Sequence, residues 1–399
     1  MKFIALPVTQ GDAFYAERAD GFRVLVDGGR SRGALPELFR KYTPSRGVDI
    51  LVCTHNDADH AEGVIGFLDS GLDCKELWLP DTWVDALLSL PPAVDHTFGF
   101  LEQRLRSGGL ELQRVPAERG GDLQEEAWQV VFPQLQEEPP EGQPEETSAV
   151  ENDACRILIG HMLDDILPAI DEHLEATRWI ITRCWKWPFA YWEWYWIRRD
   201  AFLETILSDV RRLLEVAKLA LNRGVPLRCF RHDPLRAAGV PGCPLIPLSG
   251  RGVKRIVPVL RRRDAETFWR FACLTTVNRS SLVCYLEGRP GVLFTADSDL
   301  RDMNMQCMQE WSIATAPHHG SRDNGDAYGR VGKPMVWVRS DGYSRVRPCR
   351  EYLEAPGRRF CTLCRGSGRS KQAIRLLLRG KRWVPLATQP CECNRGDKG

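Results

Sequence analysis

Short apolar runs separated by polar turns fill the first eighty residues. Residues 3–27 read as two or three short strands, with Gly11-Asp12 and Ala19-Asp20-Gly21 as turns. Leu35 to Tyr42 has the spacing of a short amphipathic helix. The run Ile50-Leu51-Val52-Cys53 predicts a buried strand over 49–53, with a helix over 61–69 and a strand over 75–79 after it. That alternation points to an α/β fold. Residues 81–107 read as helical apart from a break at Pro91-Pro92, and 127–132 as one more strand. From 134 to 153 the chain is rich in Glu, Gln and Pro and poor in apolar residues, the composition of a disordered linker. Helical period returns over 154–222, most clearly from Leu203 to Leu214, and predicts two or three amphipathic helices. Val292-Leu293-Phe294-Thr295 and Ile313-Ala314-Thr315-Ala316 are further buried-strand runs.

Candidate chemistry sits where three of these strands end. Strand 49–53 runs into Thr54-His55-Asn56-Asp57-Ala58-Asp59-His60, which places two imidazoles and two carboxylates in six residues. The second run ends in Ala296-Asp297-Ser298-Asp299, and the third leads through Pro317 into His318-His319-Gly320-Ser321. Ligands of open α/β sheets bind at such carboxyl ends. Mixed His and Asp donors suit Zn²⁺ or Mn²⁺. The plain alternative for the first cluster is a polar turn whose side chains satisfy one another.

His55-Asn56-Asp57-Ala58-Asp59-His60 resembles the H-x-H-x-D-H signature of metallo-β-lactamase-fold hydrolases, with Asp57 where the second His is usual. That variant resembles the nuclease-like domain of ComEC, a competence DNA-uptake channel, and its free-standing relatives. Four more pieces agree in order. Gln10-Gly11-Asp12-Ala13 with Leu25-Val26-Asp27-Gly28-Gly29 resembles the opening hairpin. Asn278-Arg279-Ser280-Ser281-Leu282-Val283 resembles an N-x-x-S-L-V strand, and Thr295-Ala296-Asp297 a T-G-D with Ala for Gly. His318-His319-Gly320-Ser321 matches H-H-G-S. Together these pieces cover roughly 1–133 and 271–345.

The resemblance implies a four-layer αββα sandwich holding two divalent metal ions, Zn²⁺ or Mn²⁺ with Mg²⁺ as an option. It assigns His55 and Asp57 to the first ion, and Asp59 and His60 to the second. Asp297 would bridge them, His318 would complete the second ion's set, and His319 would face the substrate. Asp59 and His319 are then the candidate catalytic residues, Asp59 as proton acceptor. No counterpart of the family's third His is present; Asn278 and Ser280 occupy that region.

Charge and cysteine usage add detail. The formal net charge is +1, yet residues 117–153 hold eleven acidic and one basic residue, and 339–382 hold thirteen basic and three acidic. The basic block could steer a polyanion, form a solvated face, or meet the chain's own acidic segment. Met1-Lys2-Phe3-Ile4 runs straight into the first strand with no signal peptide, and no stretch is long and apolar enough for a membrane span. Many of the fourteen cysteines lie in apolar runs, as free thiols in a reducing cytoplasm do. Cys361-Thr362-Leu363-Cys364 and Cys391-Glu392-Cys393 could close a separate structural Zn²⁺ site, or be reduced surface thiols. Six tryptophans fall within residues 179–196: Trp179, Trp185, Trp187, Trp192, Trp194 and Trp196. They read as the core of a helical insertion, as a protein-partner surface, or as a stacking platform for single-stranded bases.

The expected organisation has five parts. Residues 1–133 and 251–345 form the two halves of a metallo-β-lactamase-like domain, and 134–153 an acidic linker. Residues 154–250 form an inserted Trp-rich helical subdomain, and 346–399 a basic C-terminal segment. The expected function is metal-dependent hydrolysis of phosphodiester bonds by a nuclease. The resemblance adds control by a partner, as in free-standing relatives from antiviral defence systems. A lactone, ester or thioester hydrolase of the same fold is the alternative, because one ion pair polarises C=O and P=O alike. A decayed scaffold subunit is the third reading.

Overall fold

The computed structural model describes residues 1–88, 103, 167–175, 177–178, 191–253, 265–275, 277–309, 311–331, 335–342, 344, 347–364 and 371–393. The chain divides into two compact units. Unit 1 comprises Met1–Asp81, Arg223–Val253 and Asn278–Gly399, and unit 2 comprises Thr82–Asn222 and Lys254–Val277.

Unit 1 is a mixed α/β unit with two sheets. Its strands in chain order are β1 (Lys2–Ala5), β2 (Phe14–Glu17), β3 (Arg23–Val26), β4 (Gly47–Val52), β5 (Asp73–Pro80), β6 (Leu227–His232), β7 (Leu245–Pro247) and β8 (Gly250–Val253). There follow β9 (Cys284–Leu286), β10 (Val292–Phe294), β11 (Ile313–Thr315), β12 (Met335–Arg339), β13 (Gly357–Cys361), β14 (Ile374–Arg379) and β15 (Arg382–Pro385). The larger sheet has the order β15-β14-β1-β2-β3-β4-β5-β6-β8, and the smaller β13-β12-β11-β10-β9-β7. Strands β3 to β6 run parallel, as do β10 to β13. Parallel strands are covered on both faces, which is why Ile50-Leu51-Val52 and Val336-Trp337-Val338 are buried without alternation.

Period-2 side-chain direction sorts the core. Phe3, Phe14 and Phe294, from β1, β2 and β10, meet between the sheets with ring centroids 5.9–6.4 Å apart. Tyr15, one residue on, points the other way. It contacts Phe39 of α1 (Ala34–Tyr42), which contacts Phe67 of α2 (Ala58–Asp69), at 5.7 and 5.2 Å. On the smaller sheet, Leu293, Ala314 and Trp337 turn away from the shared core and cluster with Tyr328 and Tyr352. Each fully buried aromatic contributes roughly 1.5–3 kcal/mol.

The described part of unit 2 is helical. It holds α3 (Asp81–Leu88), which starts at the unit boundary, a helical stretch over 167–175, α4 (Tyr191–Asn222) and α5 (Ala265–Leu274). Ile206, Val210, Leu213, Leu214 and Ala217 recur at helical spacing on α4 and are buried. Arg211–Asp171 and Arg178–Glu204, at 2.5 and 2.7 Å, tie the 167–178 stretch to it. Two short helices complete unit 1: α6 (Ala327–Val331), which carries Tyr328, and α7 (Arg350–Glu354), which carries Tyr352.

Three sequence expectations need correction. The insertion does not run to residue 250, because β6, β7 and β8 pair into the two sheets. Residues 346–399, expected as a separate basic segment, contribute strands to both sheets. β13 closes one sheet, and β14 inserts its hairpin beside β1, with Lys2 opposite Leu377. Asn278–Ser280 forms a 3-10 turn, and the strand begins at Cys284. The expected strand 127–132, the linker 134–153, the Pro91-Pro92 break and Trp179, Trp185 and Trp187 lie outside the described residues. For Trp192, Trp194 and Trp196 only the α4 backbone is described. Among the described residues, no helix is long and apolar enough to cross a membrane.

Candidate metal centre

The three predicted strand ends meet at Asp297. His60 Nε2 lies 3.3 Å and His319 Nε2 3.7 Å from Asp297 Oδ1. His60 Nε2 and His319 Nε2 are 3.2 Å apart, and Asp59 Oδ2 is 3.4 Å from the latter. On the other oxygen, His55 Nε2 lies 3.7 Å and His318 Nε2 3.5 Å from Asp297 Oδ2, with Asp57 Oδ2 3.6 Å from His55 Nε2. One carboxylate is thus shared by two groups of donors. Close sets of mutually compatible ligand atoms are Asp12, His60, Asp297 and His319, and His55, Asp57 and Asp297.

Local structure explains the placement. β4 delivers His55 at its carboxyl end, and Asp57 is the N-cap of α2. Asp is a favoured N-cap because its carboxylate usually accepts a helix N–H. Here the side chain makes no such bond, so Asp57 keeps its oxygens for His55. Asp59 and His60 fall in the helix's first turn and point into the same space. Beyond β10 and β11 the backbone turns left-handed at Ala296, His318 and His319, with φ of 47°, 45° and 54°. Such residues cost about 1–2 kcal/mol each and cluster at functional sites. The resemblance expects Gly at position 296, and the left-handed φ is the physical reason.

Each ring's Nδ1 is engaged, so each Nε2 is turned inward. Asp27 Oδ2 accepts from His60 Nδ1 at 2.8 Å, and Asp12 Oδ1 from His319 Nδ1 at 3.0 Å. Asp27 also accepts the Thr54 N–H and hydroxyl, both at 2.8 Å. With its one proton spent on Asp27, Thr54 Oγ1 accepts from His55 Nδ1 at 3.0 Å. Asn324 Nδ2 donates to the Asp297 carbonyl at 2.8 Å, and its Oδ1 faces His318 Nδ1 at 3.3 Å. Four imidazoles therefore present Nε2 lone pairs towards one carboxylate, an arrangement typical of metal-ligating histidines. His55 Nε2, Asp297 Oδ1 and Asp12 Oδ2 are buried with no hydrogen-bond partner. Orphaned buried polar atoms are rare, and a cation on each side of Asp297 would satisfy the first two.

Electrostatics agree with that fit. Burial pushes the proton affinity of His60 down, but Asp297 and Asp27 outweigh it and hold the ring well above the usual imidazole range. His319 is raised in the same way by Asp12 and Asp297. Burial alone would raise Asp59 and Asp297; the imidazoles around each hold both well below the usual carboxylate range. Asp12 is raised, with burial the largest cause. A divalent cation would take the place of the protons that the rings otherwise bind.

The arrangement reverses two expected roles. His319, expected to face the substrate, is buried and stands beside His60. His318, expected beside His60, stands on the His55 side with its side chain 11% exposed. Two successive left-handed residues swing the rings to opposite sides of Asp297. His318 thereby supplies a second imidazole on the His55 side of Asp297. Asp12, Asp27 and Asn324 were missed as ring-orienting residues. The first two sit in segments noticed only as hairpin pieces, and their signal was an Asp adjoining a Gly at a strand end.

Gly11 fixes the Asp12 loop. Its φ is +86°, and a Cβ there would fall 1.6 Å from the Asp59 carbonyl oxygen. Asp12 N–H donates to that same oxygen at 3.2 Å.

The four expected cysteines also come together. Cys361, Cys364, Cys391 and Cys393 place their Sγ atoms within one mutual reach. Hydrogen bonds from the other three thiols, aided by the Arg339 guanidinium, pull Cys361 well below the usual thiol range. Comparison with known protein families, with curated proteins and with solved structures finds no match for this chain.

Proposed function

We propose that this chain is a metal-dependent hydrolase of the metallo-β-lactamase type, ComEC-like, that cleaves phosphodiester bonds. The observation that carries the reading is the division of Asp297, with Oδ1 facing His60 and His319 and Oδ2 facing His55 and His318. A shared two-sheet core with aromatic contacts to α1 and α2 on one side and to α6 and α7 on the other supports the αββα sandwich. His60, Asp59, His319 and Oδ1 would hold one cation, and His55, Asp57, His318 and Oδ2 the other. Four imidazoles favour Zn²⁺ or Mn²⁺ over Mg²⁺. When bound, such an ion pair polarises a phosphoryl oxygen and lowers the pKa of water.

The residues divide the remaining work. Asp12 and Asp27 fix ring orientation. Asp57 and Asp59, with side chains 26% and 18% exposed, form the solvent-facing side of the centre. Asp59, with Oδ2 3.4 Å from His319 Nε2 on the solvent-facing side, is the proton acceptor that the resemblance assigns. The resemblance favours a phosphodiester over a carbonyl substrate. The basic segment supports it only in part. Arg339 and Arg347 pair with Asp341, and Lys371 donates to the Asp341, Val8 and Thr9 carbonyls. Arg379, Lys381 and Arg382, at the turn between β14 and β15, are exposed and could meet a polyanion. Partner control, with a nucleic acid as substrate and a protein partner on the helical unit, extends this reading.

The test is a Zn²⁺, Mn²⁺ and Mg²⁺ series on single-stranded DNA, duplex DNA, RNA, a chromogenic phosphodiester and a thioester. Phosphodiester turnover with about two ions bound at the Asp297 centre is expected. Thioester turnover alone would place the chain with the carbonyl hydrolases, and no bound ion at Asp297 would leave the scaffold reading.

A further inference from the structure

Arg339, the last residue of β12, is 1% exposed. A buried guanidinium needs acceptors in every direction it points. Its Nε donates to the His319 carbonyl at 2.6 Å, and its Nη2 pairs with Asp341. Its Nη1 points at sulfur, 3.4 Å from Cys361 Sγ and 4.0 Å from Cys393 Sγ. Neutral thiols are weak acceptors. Arg347 draws on the same Asp341 carboxylate at 3.2 Å, and Lys371 donates to the Asp341 carbonyl. Among the described residues, three cations thus gather at Asp341, two on its carboxylate and one on its carbonyl, and its single negative charge leaves two positive charges in excess. A zinc ion with four thiolates carries two negative charges and would cancel them.

Distances and connections fit. Cys364 Sγ lies 3.3 Å from Cys393 Sγ and 3.9 Å from Cys391 Sγ. The edge of a zinc–sulfur tetrahedron with bonds of about 2.3 Å is about 3.8 Å. The Cys364 sulfur also accepts the Glu392 N–H at 3.4 Å, the kind of outer contact that steadies a ligating thiolate. The same segment is anchored at both ends. Cys361 ends β13, and Cys391 N–H donates to the Arg359 carbonyl at 2.8 Å.

We propose that Cys361, Cys364, Cys391 and Cys393 hold a closed structural Zn²⁺ site that locks Arg339, and that Arg339 positions the left-handed His318-His319 turn of the Asp297 centre. Arg339 is a positioning residue. It donates to the backbone carbonyl of His319 with one prong of a fork whose other prongs rest on Asp341 and the cysteine sulfurs. Loss of zinc frees the fork and lets the turn relax. The zinc site stands on its own residues, whereas the coupling rests on the Asp297 centre binding metal.

Zinc is counted by mass spectrometry on chelator-washed full-length wild type and on Asp297→Ala. About one ion per chain is expected in both. Cobalt exchanged into Asp297→Ala should give the strong visible bands and thiolate charge transfer of tetrahedral sulfur coordination. Iron in place of zinc, or a cobalt spectrum without thiolate charge transfer, overturns the site. For the coupling, Mn²⁺ affinity is measured on wild type, on Arg339→Lys, and on wild type stripped of zinc by a mercurial. Arg339→Lys keeps the charge and loses the fork. Both treatments should weaken Mn²⁺ binding roughly 10-fold or more while the chain stays folded by circular dichroism. Unchanged affinity in the zinc-stripped, folded wild type overturns the coupling. A wild type that takes up no Mn²⁺ overturns the Asp297 centre and the coupling with it, and leaves the zinc count standing.

Discussion

The Asp297 centre and the four-cysteine cluster lie on two sides of the Arg339 guanidinium, and they are built on different plans. The first mixes imidazole and carboxylate, draws on segments from Asp12 to Asn324, and turns Asp57, Asp59 and His318 towards solvent. The second uses one ligand type, and its donors come from the last forty residues, on β13 and the segment that docks beside it. Four identical donors close a tetrahedron and leave no position for a substrate. Mixed donors around a split carboxylate leave positions open. On the proposed reading, the difference separates the place of reaction from the place of support.

The sharpest way to break the comparison is to remove the shared carboxylate. Asp297→Ala should cut hydrolysis on the order of 10³-fold or more and lower metal content at this centre, with zinc at the cysteines unchanged. Kinetics and metal analysis on the same sample check it, and full activity would refute the assignment. Gly11→Ala comes next. The added methyl meets the Asp59 carbonyl oxygen at a left-handed φ, so stability should fall by about 3 kcal/mol or more. Denaturant unfolding measures this, and a neutral effect would mean that the Asp12 loop does not rest on Asp59.

A quieter substitution sharpens the role of orientation. Asp27→Asn keeps the shape but weakens the hold on His60 Nδ1, and should cost roughly 10–100-fold in metal affinity at the Asp297 centre. Calorimetric Mn²⁺ titration reads it, with the cysteine site as an internal control. The smallest effect is expected at Ala296→Gly. It relieves a left-handed alanine and should stabilise the fold by about 0.5–1 kcal/mol. A lowered melting temperature would show that the alanine methyl packs usefully.

Much of the fold was legible because its signals are local. The strand before His55, the helix after it and the helical period of α4 follow from apolar spacing. The ends of the insertion were not legible. β6, β7 and β8 are three to six residues long, and such runs acquire meaning only beside a partner strand. The C-terminal hairpin misled for the same reason. Its arginines read as a basic segment, while Ile374, Leu376 and Trp383 bury themselves in the core. In the centre, the ligand types were readable from density alone, and Asp12 and Asp27 were not, because an Asp beside a Gly is ordinary turn chemistry.

The sequence by itself determined which donors are available and that they fall at strand ends, since both follow from neighbouring residues. Tertiary structure alone decided which imidazole serves which oxygen of Asp297, and that Arg339 faces sulfur. Those choices depend on backbone turns and on partners as many as 307 positions apart, where spacing along the chain carries no information about direction in space.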